Sequence, residues 1–316
     1  MTKSVNLGII GSGEIANQHL KVLNKIKFFN LYSITSKTLK NTNYLKKLYK
    51  INNIHKSYLS MIMDDNVDCF LICVSPENIA KVLQKVIPTK KPFFTEKPFA
   101  LNLTESNKIL NLLDRYKNIN MVGYNRRYYS IFHKGINYLK KRGGIKAISI
   151  EGHERYWILK KIIKNKIILK NWIYVNNTHM IDLINFFSGD IKNINYINQN
   201  KVYSMNYALS FISKNNIIGT YSSYWNSPGG WSVKLFGDGF TVVFDPLENG
   251  KIIDKKFNIR KIKPSMIDEK YKAGFYNQMI SYKKLLINKK LSWPACDIKK
   301  AIHSMKIANK LTKIRA

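Results

Sequence analysis

Short apolar runs alternate with amphipathic stretches through the first part of the chain. The apolar runs that predict strands lie at 4–10, 28–35, 67–74, 92–95 and 120–124. Between them are stretches in which apolar residues recur every three or four positions, as on one face of a helix. Strands that alternate with helices of this length are typical of a parallel sheet with crossover helices. The sequence therefore predicts an N-terminal α/β domain.

The pattern changes after residue 122. Over most of 191–262, apolar and polar residues alternate one by one and turn-forming clusters separate the runs. Runs of strands that follow a block of alternating strands and helices indicate a second, α+β domain with a mostly antiparallel sheet. We expect one domain over 1–122 and another over 123–316. We also expect the helix predicted at about 298–314 to pack back on the first domain.

The charge is strongly positive but unclustered. The chain has 53 Lys and Arg against 19 Asp and Glu, a net charge of +34, and the lysines are spread along it without a basic tail. Nucleic-acid-binding proteins more often present a clustered stripe that includes arginines. A diffusely basic surface attracts anions and binds nucleic acid weakly at low salt. A basic nucleic-acid-binding protein is therefore the last of three hypotheses, and we expect no specific nucleic-acid partner.

Apolar runs and cysteines indicate the compartment. The longest clean apolar run, Cys69–Val74, is far shorter than the roughly 20 residues of a membrane span. The start of the chain has too short an apolar stretch for a secretory signal. Three cysteines, an odd and sparse count, suit a reducing cytoplasm. No second ligand pair accompanies Cys69 and Cys73, so we expect no metal site. We expect a cytoplasmic protein without membrane association.

A glycine-rich loop follows the first predicted strand. Gly11, Gly13 and Ala16 fit the pattern G-x-G-x-x-G/A where that strand ends and a helix begins. The glycines let backbone N–H groups approach a pyrophosphate at the helix N-terminus, and the small Ala16 lets helix and strand pack. This context predicts dinucleotide binding rather than a plain glycine turn. The expected cofactor contacts in the loop are Gly11, Ser12, Gly13, Glu14 and Ile15.

The end of the second predicted strand bears on the choice of cofactor. In this kind of site an Asp or Glu about 20 residues after the loop hydrogen-bonds the ribose 2′-hydroxyl of NAD. This chain has Ser36 and Lys37 there and no acid. A hydroxyl followed by a cation suits a 2′-phosphate, whereas Lys37 is also one of many lysines. The predicted cofactor is NAD(P), with NADP(H) favoured over NAD(H).

Glu96-Lys97-Pro98 follows a short predicted strand. The carboxyl ends of strands are where doubly wound sheets bind ligands, and the proline restrains the backbone beside the lysine. An ammonium group there can hydrogen-bond a substrate hydroxyl or stabilise a developing alkoxide. Taken alone, such a pair is more often a surface ion pair.

Taken together, these segments resemble the Gfo/Idh/MocA family, which includes glucose-fructose oxidoreductase and inositol dehydrogenase. The glycine loop, Glu96-Lys97-Pro98 and 122–127 (Val-Gly-Tyr-Asn-Arg-Arg) come in the family's order and spacing. Segments that extend the resemblance to essentially the whole chain are 229–231, 237–239, 275–278 and 294–297. The resemblance implies an N-terminal Rossmann domain with a doubly wound parallel sheet and a C-terminal domain with a large open sheet. It also implies hydride transfer between NAD(P) and a hydroxyl or ketone of a sugar, sugar derivative or nucleotide sugar.

By this resemblance Lys97 is the catalytic lysine and His179 is the family histidine. The family usually carries Asp-x-x-x-His here, and Val175 occupies the aspartate position. Because histidine is a natural proton acceptor near neutral pH, His179 would take the hydroxyl proton while Lys97 stabilises the oxygen. Asp182, one helical turn later, is expected in the substrate site, where it would orient His179. Alternatively, it is a charge that interacts with the helix dipole.

Further contacts also follow from the resemblance. Ser75 and Pro76 are expected beside the cofactor, as are Glu96 and Lys97. The family often has a histidine shortly after this proline, and this chain has none. The segment after the last parallel strand is expected to line the substrate site through Tyr124, Asn125 and Arg126.

The open sheet bears on assembly. We expect it to expose an aromatic-rich face that includes Tyr207, Phe211, Tyr221 and Trp225. Exposed faces of this kind usually bury against a partner, which predicts a homodimer or homotetramer. The second hypothesis for function is a catalytically inactive nucleotide-binding protein of the same fold, because Val175 replaces the family's acid.

Overall fold

The computed structural model describes residues 4–198 and 205–313. The chain divides into two compact units. The first runs to Asn125 and takes in Lys270–Ile302, and the second is formed by Arg126–Glu269 and the chain from His303 onward. The first unit therefore extends slightly beyond the boundary predicted at residue 122 and includes a segment that the sequence placed in the second domain.

The first unit is built on a parallel sheet of six strands. The strands are β1 (Val5–Ile10), β2 (Phe29–Thr35), β3 (Asn53–Ile54), β4 (Cys69–Ile72), β5 (Phe93–Thr95) and β6 (Asn120–Val122). The helices of this unit are α1 (Glu14–Leu23), α2 (Leu39–Tyr49), α3 (Tyr58–Ile62), α4 (Pro76–Val86), α5 (Leu103–Tyr116) and α11 (Phe275–Asn288). The strand order is β3-β2-β1-β4-β5-β6. The chain thus builds outward from β1 in both directions, so the doubly wound parallel sheet is confirmed.

Burial explains the apolar runs of this unit. Ile9 in β1 and Phe70 and Leu71 in β4 are fully buried, as expected for parallel strands whose two faces are covered by helices. Cys69 and Cys73 are buried beside them, and burial raises the pKa of the Cys69 thiol to about 12. These cysteines therefore pack as small hydrophobic residues.

The second unit contains an eight-stranded sheet. Its strands are β7 (Ala147–Gly152), β8 (Ile191–Asn198), β9 (Asn206–Ser213), β10 (Ile218–Tyr224), β11 (Trp231–Gly237), β12 (Phe240–Phe244), β13 (Gly250–Asp254) and β14 (Ile259–Ile262). The order is β14-β13-β12-β11-β7-β10-β9-β8. Only β7 and β10 pair in parallel among these described strands. The predicted α+β domain with a large, mostly antiparallel sheet is therefore confirmed.

Helices complete the second unit. They are α6 (Ser130–Lys140), α7 (Tyr156–Ile162), α8 (Lys166–Lys170), α9 (Thr178–Ser188) and α10 (Met266–Lys270), and α12 (Ile298–Lys313) begins in the first unit and ends in the second. α6 packs so closely on the sheet that a Cβ at Gly135 would come within 2.8 Å of the Phe244 ring. α9 packs on β7, where a Cβ at Gly152 would lie 3.2 Å from Met180.

Three of the four aromatic side chains that were expected on an exposed face of the open sheet are buried, and Tyr207 is half-buried, so that expectation is wrong. Phe211, Tyr221 and Trp225 are at most 5% exposed. The strand register places Tyr221 opposite Leu209 on the buried face, whereas Ile218 and Tyr224 belong to the opposite, exposed face. Alternation along a strand distinguishes the two faces but does not say which one the helices cover.

None of the helices in the described part of the chain is long and apolar enough to cross a membrane.

Candidate functional site

The glycine loop of the first unit has a geometry that only glycine permits. β1 ends at Ile10, and Gly11 follows with φ at +117°. A Cβ on Gly11 would lie 2.3 Å from the Cys73 carbonyl oxygen, which is backbone and cannot yield. A Cβ on Gly13 would meet nothing within 4 Å. Gly11 is therefore required by the fold, whereas Gly13 keeps a space open in front of α1.

That space has the donors an anion needs. Gly13 caps α1 and offers no side chain, so no side-chain cap occupies the first N–H groups of the helix. The Ser12 hydroxyl is buried and has no hydrogen-bond partner. Glu14 is turned along the helix, where Gln18 donates to it at 2.6 Å and holds the Glu14 pKa below its usual value. An orphaned hydroxyl beside uncapped helix N–H groups fits the pyrophosphate of NAD(P).

The other predicted cofactor residues lie at the ends of neighbouring strands. Ser36 follows β2 directly and accepts a hydrogen bond from the Thr38 N–H at 3.3 Å, and Lys37 is exposed. Ser75 precedes α4, and Asn78 donates to its hydroxyl at 2.8 Å. Pro76 is the first residue of α4. Because the carboxyl ends of parallel strands share one edge, these residues lie along the same edge as the glycine loop.

Glu96 is held from several sides at the end of β5. Its Oε1 lies 2.7 Å from Nε2 of His19, and its Oε2 accepts the Lys97 N–H at 3.2 Å. A Cβ on Gly123 would lie 2.8 Å from Oε1. Both His19 and Glu96 are buried, whereas Lys97 is half-buried. The backbone that carries Lys97 is thus tied to α1, the helix of the glycine loop.

The sequence analysis did not select His19. The imidazole has no exposed surface, and its ring centroid lies 5.1 Å from that of Phe94 and 4.6 Å from that of Phe275. The available signal was its position beside the apolar residue Leu20 on the buried face of α1. A histidine on such a face requires a polar partner.

Tyr124 and Asn125 are buried at the end of the first unit. Asn125 donates to the Ala273 carbonyl at 3.1 Å. Gln278, with its side-chain amide oriented to satisfy both groups, accepts from the backbone N–H of Tyr124 at 3.1 Å and of Asn125 at 3.3 Å. The backbone that follows β6 is therefore fixed by α11 and the loop before it.

In the second unit, His179 and Arg126 both lie close to one tryptophan. His179 is on the first turn of α9 and is buried, with its ring centroid 6.2 Å from that of Trp231. The Arg126 guanidinium lies 4.5 Å from the centre of the same indole, a cation–π distance. Trp231 thus links two residues that the sequence assigned to catalysis and to substrate binding.

Asp182 is engaged by an arginine. Its Oδ2 accepts from Nε of Arg127 at 2.6 Å and its Oδ1 accepts from Nη2 at 2.7 Å. Burial raises the pKa of Asp182, and Arg127 opposes that rise. The two-pronged contact orients Asp182 toward Arg127, a partner that the sequence did not predict. Its assignment to the substrate site stays a prediction.

A cleft of about 360 Å³ opens beside Trp231. It is lined by His153, Glu154, Arg155, Ile158, Leu159, Gly229, Gly230 and Trp231. Glu154 is buried, and its Oε1 accepts from the side-chain amides of Asn176 at 3.1 Å and Asn177 at 3.2 Å. The sequence analysis did not select these residues, although Glu154 comes just after the carboxyl end of β7.

In residues 4–198 and 205–313, no three His, Cys, Asp or Glu side chains are grouped so that they would hold a metal ion.

Comparison with known proteins addresses the family. The chain is 28% identical to myo-inositol 2-dehydrogenase of Thermotoga maritima over 130 residues, which are 41% of this chain and 39% of that protein. The match thus spans about two fifths of that curated relative.

Two solved structures share the fold over nearly the whole chain. Levoglucosan dehydrogenase in complex with NADH and levoglucosan has a TM-score of 0.81 at 13% identity, covering 98% of this chain and 96% of that one. UDP-N-acetylglucosamine 3-dehydrogenase of Acidithiobacillus ferrooxidans has a TM-score of 0.74 at 13% identity, with the same coverage of 98% and 96%. At such identities the likeness shows the fold.

A family model matches the N-terminal part of the chain. Residues 5–124 match the model of the Gfo/Idh/MocA family, described as an oxidoreductase family with an NAD-binding Rossmann fold. The matched segment contains the glycine loop and Glu96-Lys97-Pro98, which carried the resemblance. The match covers less than half of the chain, so it shows that residues 5–124 are similar to this oxidoreductase family.

Proposed function

We propose that this protein is an NAD(P)-dependent oxidoreductase that acts on a hydroxyl or ketone of a sugar, sugar derivative or nucleotide sugar. One observation carries the proposal. The uncapped start of α1 and the orphaned Ser12 hydroxyl form an anion site, and α1 also holds Glu96, the neighbour of Lys97, through His19. The candidate nucleotide site and the backbone next to the candidate catalytic lysine are therefore both held by α1.

The residues of the chain have defined roles in this proposal. Gly11, Ser12 and Gly13 bind the pyrophosphate, and Ser36 and Lys37 approach the adenosine ribose or its 2′-phosphate. Bound NAD(P)⁺ supplies a hydride acceptor. NADP(H) is favoured because no carboxylate follows β2, where the NAD ribose would need one.

Proton transfer belongs to two side chains. His179 accepts the proton of the reacting hydroxyl, since a neutral imidazole is a suitable base near pH 7. Lys97 donates a hydrogen bond to the same oxygen and stabilises the negative charge that develops on it. In the direction of reduction the two groups act in reverse.

The substrate class rests on the relatives and on the cleft. The names of the relatives specify an inositol, an anhydrosugar and a nucleotide sugar as what those proteins act on. The cleft combines the Trp231 indole with the charged residues Glu154 and Arg155. An aromatic face beside charged hydrogen-bonding groups suits a ring that carries hydroxyl groups.

Cofactor titration is the first test. NADH and NADPH are titrated separately at about 0.15 M salt, where diffuse surface charge is screened, and nicotinamide fluorescence is followed. Saturable binding of one or both is expected. If neither binds, the glycine loop is a remnant of the fold and the proposal fails.

Turnover is the second test. NAD⁺ and NADP⁺ reduction is measured with myo-inositol, levoglucosan and UDP-N-acetylglucosamine, and Lys97→Ala is compared with the exposed Lys85→Ala as a matched control. We expect Lys97→Ala to lose turnover and Lys85→Ala to retain it. Full activity of Lys97→Ala would refute the role of Lys97.

Val175 favours a second candidate, a nucleotide-binding protein without catalysis. The family's acidic position is apolar here, and the Val175 side chain is buried. Tight cofactor binding without hydride exchange for any member of a broad sugar panel would support this candidate over the first.

A further inference from the structure

Glu154 is a buried carboxylate in the wall of the cleft. It is 7% exposed and lies just beyond the end of β7, and it lines the same cleft as Trp231. Burying a charge is costly unless hydrogen bonds compensate for the lost water. A carboxylate kept at such a position therefore needs a structural or a binding reason.

The structure holds this carboxylate with amide groups. Asn176 and Asn177 both donate from their side-chain nitrogens to Oε1 of Glu154, at 3.1 and 3.2 Å. Asn177 is itself fully buried, donates to the Gly152 carbonyl at 2.7 Å and contacts the Tyr221 hydroxyl. Asn177 is thus fixed to the sheet, which orients the Glu154 carboxylate that it binds.

The two amides belong to the turn that leads to His179. Residues Ile173–Asn177 form a π-helical turn directly before α9. Position 175, where the family motif has its acid, is Val in this turn. The same turn therefore lacks a carboxylate of its own and binds that of Glu154, from the segment just after β7.

The cleft also provides a surface for a ring. Trp231 lines it, and the indole of Trp231 lies beside both the His179 ring and the Arg126 guanidinium. A ring bound against Trp231 would lie near both the Glu154 carboxylate and the His179 imidazole, the candidate base. A carboxylate accepts hydrogen bonds and donates none, so its partner must be a donor such as a hydroxyl.

We propose that Glu154 is a substrate-binding residue that accepts a hydrogen bond from a ring hydroxyl other than the one oxidised, and thereby supplies the carboxylate that Val175 does not. This inference rests on the proposed function and narrows it. The substrate is a polyhydroxylated ring, and a ring alcohol with a single hydroxyl is a poor ligand. A site built to bind a hydroxyl discriminates strongly against an analogue that lacks it.

Binding of two probes tests the inference without turnover. Saturation-transfer NMR measures the dissociation constants of myo-inositol, a ring with several hydroxyls, and of cyclohexanol, a ring of the same size with one. The proteins are the full-length wild type, Glu154→Ala, Glu154→Gln and Glu151→Gln. Glu151 is the matched control, because it lies three residues earlier, within β7, its side chain is 41% exposed and it does not line the cleft.

The wild type is expected to prefer myo-inositol to cyclohexanol. A hydrogen bond to a charged group is worth about 10- to 100-fold in affinity, so Glu154→Ala should weaken myo-inositol binding by about that factor and leave cyclohexanol unchanged. Glu154→Gln keeps the size of the side chain and should lose part of the preference. Glu151→Gln should bind as the wild type does.

Three results would overturn the inference. They are unchanged myo-inositol binding in Glu154→Ala, equal losses in Glu154→Ala and Glu151→Gln, and no myo-inositol binding to the wild type at millimolar concentrations. A melting curve followed by circular dichroism shows whether each variant is folded, and Glu154→Gln decides if Glu154→Ala is not. NADH and NADPH titration of the same samples separates the two proposals, because loss of cofactor binding to the wild type counts against the function itself.

Discussion

The Arg127–Asp182 pair makes a quantitative prediction about stability. Both side chains are buried, and two short hydrogen bonds of 2.6 and 2.7 Å join them. Removal of one partner leaves the other as an uncompensated buried charge, which costs about 3–5 kcal/mol. Asp182→Ala should therefore lower the free energy of unfolding by about 3–5 kcal/mol.

Thermal and urea unfolding measure this loss. At about 2–4 °C per kcal/mol for a unit of this size, the melting temperature should fall by about 6–20 °C. Arg127→Ala should cost a similar amount, because it strands the carboxylate. The double variant Arg127→Met/Asp182→Leu removes both charges and refills the volume, so it should be closer to wild type than either alanine variant.

The opposite pattern would refute this reasoning. A loss below about 1 kcal/mol in Asp182→Ala is what an exposed ion pair gives, and it would mean that the pair contributes little to the fold. If that variant also kept its melting temperature but lost turnover with sugars, Asp182 would be a substrate ligand, as the sequence predicted. Stability and activity thus distinguish the two roles of Asp182.

Three further predictions concern other parts of the chain. Gly11→Ala should lower the melting temperature and abolish NADH binding, because its Cβ would lie 2.3 Å from a carbonyl oxygen. Gly13→Ala has open space around its Cβ, so it should stay folded and only weaken NADH binding. An unchanged melting temperature in Gly11→Ala would contradict this geometry. Burial lowers the pKa of His133 below its usual 6.5. The unfolded state therefore binds the proton more readily, and the free energy of unfolding falls as the pH drops through 6.5. Urea unfolding of His133→Gln should show a smaller fall over this pH range, and an equal fall would exclude His133 as a cause of the pH dependence. Analytical ultracentrifugation at micromolar concentration should find a homodimer or homotetramer, since the outer face of the sheet exposes Ile218 and Tyr224, and a monomer would contradict the prediction.

The parts of the fold that the sequence predicted are those set by local pattern. Apolar runs identified the parallel strands because β1 and β4 are buried on both faces. Gly11 was identifiable because its conformation and close approach to backbone exclude every other residue. Strand ends then located Ser36 and Lys97, since a parallel sheet gathers its carboxyl ends along one edge.

Pairings between distant residues were beyond the sequence. His19 and Glu96 are 77 residues apart, and Arg127 and Asp182 are 55 apart. Each pair is brought together by packing of whole elements, and neither carries a spacing that a motif would record. The buried face of the second sheet was misassigned for a similar reason, because alternation in β10 leaves open which side α9 covers.

Glu154 bears on whether the protein is catalytically inactive. Val175 is the residue that favours an inactive protein, because the acid of the family motif is absent at that position. A ligand responds to the charges around it in space, whatever their place in the sequence. Because Asn176 and Asn177 bind the Glu154 carboxylate to the turn that contains Val175, an acid remains attached to the segment that leads into His179. The change at position 175 therefore does not remove every carboxylate from contact with this turn, and hydride exchange remains the expected outcome of the turnover test.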